Sequence, residues 1–344
     1  MYEFGFELRI CRWVERNWPP DGSKRGVLVS RQLGTRSRRW DTIVLEIDPE
    51  KFEKRERFGR KRLDSNLLHV VQNAPEEWSY YRNALSHPGY PWRYVRETIH
   101  EASSRDILDT RKTGNRIEIR QRYEYPNWLS KIIAIENKPD LDASAARALS
   151  DQLERDVALS LADEVWVATR ATGKRVEPAL LEDLPVEVGI LVFSEGEATV
   201  RWHPRTLTSH EPGTRITERP PKAAYDHSAA RFEYVSAAEK ARTRLALAER
   251  AYERGWRSYI DTMRPDCRYF EGRIDSHTLV PYCAANCREQ TAAECSGSCP
   301  DFSPEPPTWR TKGWPIEGGP GKGLRELLER RRERARPTRK ASQR

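Results

Sequence analysis

No stretch of this chain approaches the roughly 18 consecutive apolar residues that a membrane-spanning helix needs. The opening residues carry Glu3 and Glu7 where a secretory leader would carry basic residues. The expectation is therefore a cytoplasmic protein with no membrane partner. Cysteine is scarce, at six in 344 residues. In a long intracellular chain that argues against a disulfide framework and for metal binding. Acidic residues are in deficit: 52 Asp and Glu face 60 Lys and Arg, a net charge of +8. Such a balance carries no information about the fold but favours polyanionic partners. A phosphate loop is missing too. Gly318 to Gly323 is glycine-rich, but the six-residue frame before Gly-Lys is wrong, no Ser or Thr follows, and no strand precedes it. What is present excludes a wholly disordered chain, because eleven Trp and thirteen Tyr supply real cores. The length sets an expectation of two or three domains.

Along the chain, Tyr2 to Trp18 reads as a helix, with apolar residues at helical spacing and Pro19 and Pro20 to stop it. Glu7 lies on the apolar stripe of Ile10 and Val14, so it is a boundary residue or a site residue. Gly26 to Leu33 and Trp40 to Ile47 read as strands joined by a turn at Gly34 to Ser37. Asp41 opens the second strand's apolar run, where Asp is depleted and needs a reason. Residues 64–125 look like an insertion. Its helices are expected around Leu67 to Val71, over Glu76 to Leu85 and over Trp92 to Ser103, and two strands then flank a turn at Lys112 to Asn115. Asp142 to Leu161 is a capped helix with Gln152 beside its apolar stripe. Glu164 to Thr169 and Val186 to Phe193 are further strands, and Ala198 to Trp202 belongs to an edge hairpin. Residues 203–227 read as a linker, and a helix should run from Ser236 to about Thr262.

The most informative stretch is Ile132 to Leu141. Ile132, Ile133 and Ile135 make a β-branched run suited to a strand buried on both faces, and Pro139 ends it. Side chains alternate along a strand, so Glu136 and Lys138 are expected on one face. A carboxylate and an ammonium would then emerge together where a hydrophobic strand leaves the core. The bland explanation is a strand-end salt bridge. The sharper one is metal-assisted phosphodiester cleavage.

The order of these elements resembles the PD-(D/E)XK nuclease superfamily, the restriction endonuclease-like and RecB-like enzymes. It runs helix, hairpin bearing Asp41, strand bearing Glu136 and Lys138, helix bearing Gln152, then two strands. The resemblance implies an α/β fold with a mixed sheet flanked by helices, split into residues 1–63 and 126–205 around the 64–125 insertion. By position, Asp41, Glu136 and Lys138 match the family's catalytic acids and lysine, Gln152 a helix glutamine and Glu7 a first-helix acid. Asp41, Glu136 and the backbone carbonyl of Asn137 would hold Mg²⁺ or Mn²⁺. The insertion resembles a winged helix-turn-helix. Arg93, Arg96 and His100 lie on its third helix, and Arg111, Lys112 and Arg116 on the wing, all as nucleic-acid contacts. Taken whole, the chain is similar to an uncharacterised haloarchaeal protein family, whose members are usually acidic where this chain is basic. The expected function is metal-dependent hydrolysis of DNA. The rival is a DNA-binding regulator or scaffold without turnover. Composition leaves RNA open as a substrate, and a homodimer is compatible with it.

After a linker at 206–234, residues 235–310 carry a helix and a cysteine-rich module, and 311–344 a basic tail. Cys267, Cys283, Cys287, Cys295 and Cys299 crowd into the module. The favoured ligand set is Cys267, Cys283, Cys295 and Cys299, with Cys287 as alternate and His277 as a weaker candidate. Zinc is the first expectation and a [4Fe–4S] cluster the second. Cys11, on the first helix's apolar stripe, reads as core.

Overall fold

The computed structural model describes residues 3–303 apart from 24, 86, 88, 90, 172–182, 195, 220–229, 266, 276–277, 292 and 296–298. The glycine-rich stretch, the basic tail and His277 lie outside the described residues. Helix α1 spans Glu3–Asn17, and the hairpin β1 Gly26–Gly34 and β2 Arg39–Ile47 follows. Its tight turn is closed by Thr35 N–H donating to the Arg38 carbonyl at 2.6 Å. Gly34 is required there, since a Cβ would sit 2.0 Å from that carbonyl oxygen. After α2 Pro49–Glu56 and the insertion, β6 spans Leu129–Asn137, α6 Ala143–Leu159, β7 Glu164–Arg170, β8 Gly189–Ser194 and β9 Glu197–Trp202.

These strands form one six-stranded mixed sheet in the order β1-β2-β6-β7-β8-β9, with β6, β7 and β8 parallel and the remaining pairs antiparallel. The apolar runs explain its burial. Along β6, β7 and β8 successive residues go to opposite layers. Ile132, Ala134, Val165, Val167 and Ile190 pack against α6 and against α7 (Ala237–Arg254). Ile133, Ile135, Trp166, Ala168 and Leu191 pack against α1 and residues 256–263. Each fully buried Ile contributes roughly 1.5–3 kcal/mol, so this three-layer core dominates the fold. The helix expected to run to about Thr262 stops at Arg254 instead. Gly255 takes φ +60° and its N–H caps the Ala251 carbonyl, after which residues 256–262 form a 3₁₀ segment.

The insertion has its own apolar core, built on Leu67, Val71, Val95, Ile99 and Ile119. Its elements are α3 Ser65–Asn73, β3 Ser79–Tyr80, α4 Tyr81–Ala84, α5 Trp92–Ser104, β4 Leu108–Thr113 and β5 Arg116–Gln121. The three strands pair in the order β3-β5-β4. The helix expected over Glu76 to Leu85 is thus a two-residue strand followed by one helical turn. Pro75 does not open a helix, because its carbonyl accepts from Gln121 N–H at 2.7 Å and holds the segment extended against β5. Part of the stretch expected as a linker also folds: β10 Gly213–Glu218 pairs with β11 Arg231–Val235 and packs on α6. The cysteine-rich region forms a three-stranded sheet of β12 Phe270–Asp275, β13 Thr278–Cys283 and β14 Arg288–Glu289. Among the described residues no helix is long and apolar enough to cross a membrane.

Buried charge as well as apolar packing joins α2 to α7. Arg55 and Glu249 are each 0% exposed and form an ion pair. Leu63 N–H and Tyr125 O–H also donate to Glu249, and Arg55 lies 4.2 Å from the centroid of Tyr252. Breaking such a pair leaves the other charge buried and alone. Arg55→Ala should therefore cost about 3–5 kcal/mol in urea denaturation. A change near zero would show that water reaches this pair.

Candidate active site

Three acids gather where β2 and β6 leave the sheet. The antiparallel register pairs Thr42 with Ile135, and one further step sets Asp41 opposite Glu136. Asp41 accepts the backbone N–H of Asn137 at 2.9 Å and the side-chain amide of Gln32 at 3.0 Å. The same Gln32 amide nitrogen lies 3.1 Å from Glu7, so one residue bridges the α1 acid to the β2 acid. Gln32 has φ +49°, an unfavourable conformation for a residue with a side chain. It is retained at the point where the strand must turn this amide into the site. Arg31 completes the Glu7 environment with two bonds, at 3.0 and 2.8 Å.

Glu136 is 9% exposed. Arg38, from the hairpin turn, donates to it at 3.0 Å, and Gln152 of α6 is near enough to ease its charge. Arg38 is itself held by Asp156, which takes its Nε and Nη2 at 2.9–3.0 Å and also accepts from Trp40 Nε1 at 3.0 Å. Burial and the neighbouring Asp41 charge push the Glu136 carboxyl up to about 7, against the relief that Arg38 and Gln152 provide. Burial likewise raises Glu7, with Arg31 opposing and Asp41 reinforcing. Raised carboxyls crowded at a sheet end mark a place where a cation would be stabilising.

Asp41, Glu136, Glu7 and Gln152 are thus brought to one region. Lys138 goes elsewhere. Strand β6 ends at Asn137, and Lys138 N–H donates to the Ala168 carbonyl at 2.8 Å. Its ammonium meets Glu3 of α1 at 3.5 Å, while Glu136 meets α6 on the other side of the sheet. The cation beside Glu136 is Arg38, which lies between the turn expected at Gly34 to Ser37 and the second strand and was not singled out from the sequence. Asp156 within α6 and Gln32 within β1 were not singled out either. Only Asp156's spacing of one helical turn beyond Gln152 on α6 could have signalled it.

A carboxylate pair and nearby carbonyls are hard oxygen donors of the kind that suit Mg²⁺ or Mn²⁺. The Asn137 side-chain carbonyl oxygen is buried without a hydrogen-bond partner, while its amide donates to Thr42 at 3.1 Å. Among the described residues, no group of three or more His, Cys, Asp or Glu side chains is already arranged to hold a metal ion. Any ion here would draw on the two acids together with neutral oxygens.

Residues 28–304 match the profile of DUF5787, a family of unknown function. The chain belongs to this family. Comparison with curated proteins and with solved structures returns no significant match. The match runs through Asp41, Glu136, the insertion and all five clustered cysteines, and it begins after Glu7.

Away from this site, Arg93, Arg96 and His100 are exposed on α5, interleaved with exposed Glu97 and Glu101. Lys112 and Arg116 are exposed at the β4–β5 turn, and Arg111 pairs with Glu118 at 2.6 Å. Cys11 is fully buried beside Thr42 and its thiol is pushed up to about 12, chiefly by burial and then by Glu7. It is a core residue.

The raised Glu136 carboxyl sets a stability profile. The folded chain keeps that proton to higher pH than the unfolded chain does, so the contribution favours folding below about 4.5 and is lost as pH rises through about 7. Without divalent ions, Glu136→Gln should stabilise the fold by about 1–3 kcal/mol near pH 8 and change little near pH 4. Thermal melts at the two pH values check this. A loss of stability at both would mean that the ionised carboxylate is net stabilising where it sits.

Proposed function

We propose that this protein is a metal-dependent nuclease that hydrolyses DNA phosphodiester bonds at the sheet end bearing Asp41 and Glu136. The observation that carries the reading is the meeting of those two acids across β2 and β6, with Glu7 tied to Asp41 through Gln32. The element order α1-β1-β2-β6-α6-β7, with β6 and β7 parallel, supports a restriction endonuclease-like core. The insertion supports a winged helix-turn-helix reading by the order α3-β3-α4-α5-β4-β5 and the strand pairing β3-β5-β4. On this reading α5 enters a groove with Arg93, Arg96 and His100, and Arg111, Lys112 and Arg116 lie along phosphates.

Asp41 and Glu136 would hold Mg²⁺ or Mn²⁺, with the Asn137 backbone carbonyl as a third oxygen. Bound there, the ion would lower the pKa of a coordinated water and neutralise charge on the scissile phosphate. Glu7 keeps a second acid beside Asp41. Gln32 fixes the carboxylate orientation, and Gln152 does the same for Glu136. Lys138, which the family pattern would place near the phosphate, lies with Glu3 across the sheet, so the nearby positive charge falls to another residue. Arg38 lies closer to Glu136 and offers a planar donor set suited to phosphate oxygens.

One observation favours the rival reading, a DNA-binding regulator without turnover. Arg38 already neutralises Glu136, which is what a metal-free acid site needs in order to stay folded. A plasmid and oligonucleotide cleavage assay with Mg²⁺, Mn²⁺ or EDTA separates the two. Asp41→Asn and Glu136→Gln should each lower metal-dependent cleavage at least about a hundredfold while leaving DNA affinity within a few-fold. Undiminished cleavage by either variant would refute the assignment. Binding by the wild type with no cleavage under any of these ions would favour the rival. Lys112→Ala and Arg116→Ala should weaken binding across sequences and each reduce the salt slope by about 1.

A further inference from the structure

A second constellation lies apart from the acidic site, in the C-terminal module. Its sheet buries few apolar side chains of its own, chiefly Val280 and Cys283. It is attached to α1 by Arg9, which donates to Asp275 at 2.6 Å and to Glu289 at 3.0 Å. Between the module and α1 is a cavity of about 70 Å³, lined by Cys267, Cys283, Cys295 and Cys299. Phe4, Arg31 and Arg264 also reach it. We propose that Cys267, Cys283, Cys295 and Cys299 bind a single Zn²⁺ as a tetrathiolate site that holds this module together beside α1.

Each sulfur arrives from a different backbone feature. Cys267 opens a turn closed by Phe270 N–H at 3.0 Å, and Cys299 opens another closed by Phe302 N–H at 3.1 Å. Arg268 N–H donates to the Ser303 carbonyl at 2.8 Å and ties those two turns together. Cys283 ends β13, and Cys295 N–H donates back to the Thr291 carbonyl at 3.1 Å. None of the four is in a disulfide.

Four soft donors on one small cavity suit tetrahedral zinc, and its binding energy would be folding energy for a segment with so little core. The surroundings fit a thiolate centre. Asn286 donates its amide to the Cys283 sulfur at 3.5 Å, the outer contact that commonly supports a metal-bound sulfur. Arg31 and Arg264 bring positive charge to the lining, against the net negative charge of a tetrathiolate zinc. The fifth cysteine is directed away. Cys287 is exposed at φ +51°, donates to the Ala284 carbonyl at 3.4 Å and does not line the cavity. Among the described residues no three such donors are already placed to hold a metal ion, so zinc binding would require these turns to shift.

The proposal does not depend on nuclease activity. The full chain, purified under reducing conditions, should retain one zinc per molecule through dialysis, measured by elemental analysis. Cys267→Ser, Cys283→Ser, Cys295→Ser and Cys299→Ser should each lose it, and Cys287→Ser should keep it. Since the first four variants could fail to fold, alkylation of the native wild type followed by mass spectrometry gives a second readout. Cys287 should react at least about tenfold faster than the other four, and chelation should abolish the difference. Cobalt(II) in place of zinc should give thiolate-to-metal charge-transfer absorption in the wild type and in Cys287→Ser. Chain without stoichiometric metal and with all five thiols equally reactive would overturn the proposal. So would iron and acid-labile sulfide in place of zinc, or a disulfide within the set.

Discussion

Crowding negative charge at a buried sheet end is the constraint around which the rest of the site is organised. Asp41 and Glu136 sit opposite each other because antiparallel pairing gives them no alternative. Two carboxylates at that range repel, and burial removes the water that would screen them. The surrounding structure answers with donors. Gln32 and the Asn137 N–H take Asp41, Arg31 takes Glu7, and Arg38 and Gln152 take Glu136. Even with these donors, burial first and the Asp41 charge second hold the Glu136 carboxyl above its ordinary range. A divalent cation is the natural complement of what remains.

The donors come from elements that the sheet core makes rigid. Apolar residues of β6 and β7 are buried against α1 on one face and α6 on the other, so both helices reach the same sheet end at fixed heights. Glu7 therefore enters from one layer and Gln152 from the opposite one. The insertion does not disturb this arrangement, because it carries its own core and leaves β6 free to pair with β2. That is how acids far apart in sequence become neighbours.

The parts legible in the sequence were those governed by regular periodicity. The β1–β2 hairpin, the doubly buried run of β6, the capped helix α6 and the insertion's last hairpin follow from alternation, apolar stripes and turn residues. What escaped was decided where periodicity stops. Lys138 was expected beside Glu136 by strand alternation, yet the strand ends one residue earlier and its N–H turns to Ala168. Arg38 stands in a turn among Arg36 and Arg39, and nothing in composition distinguishes it from its neighbours. Gln32 depends on a left-handed backbone angle that no local motif announces. The helix expected after Pro75 was lost to a single hydrogen bond from Gln121, a residue remote in sequence.

On the proposed reading, Arg38 also decides what an ion entering at Glu136 would displace. It touches Glu136 through one nitrogen, but Asp156 holds both its Nε and its Nη2. Asp156 is in turn fixed by Trp40. A cation arriving at Glu136 therefore has to displace one charge-assisted bond, and the guanidinium is not left buried and unpaired, which would be costly. The Asp156 clamp makes the Glu136 contact the weaker of the two tethers. An arginine held this way shares one positive charge between Asp156 and Glu136. On the proposed reading it would yield the carboxylate to an ion while Asp156 keeps it in place.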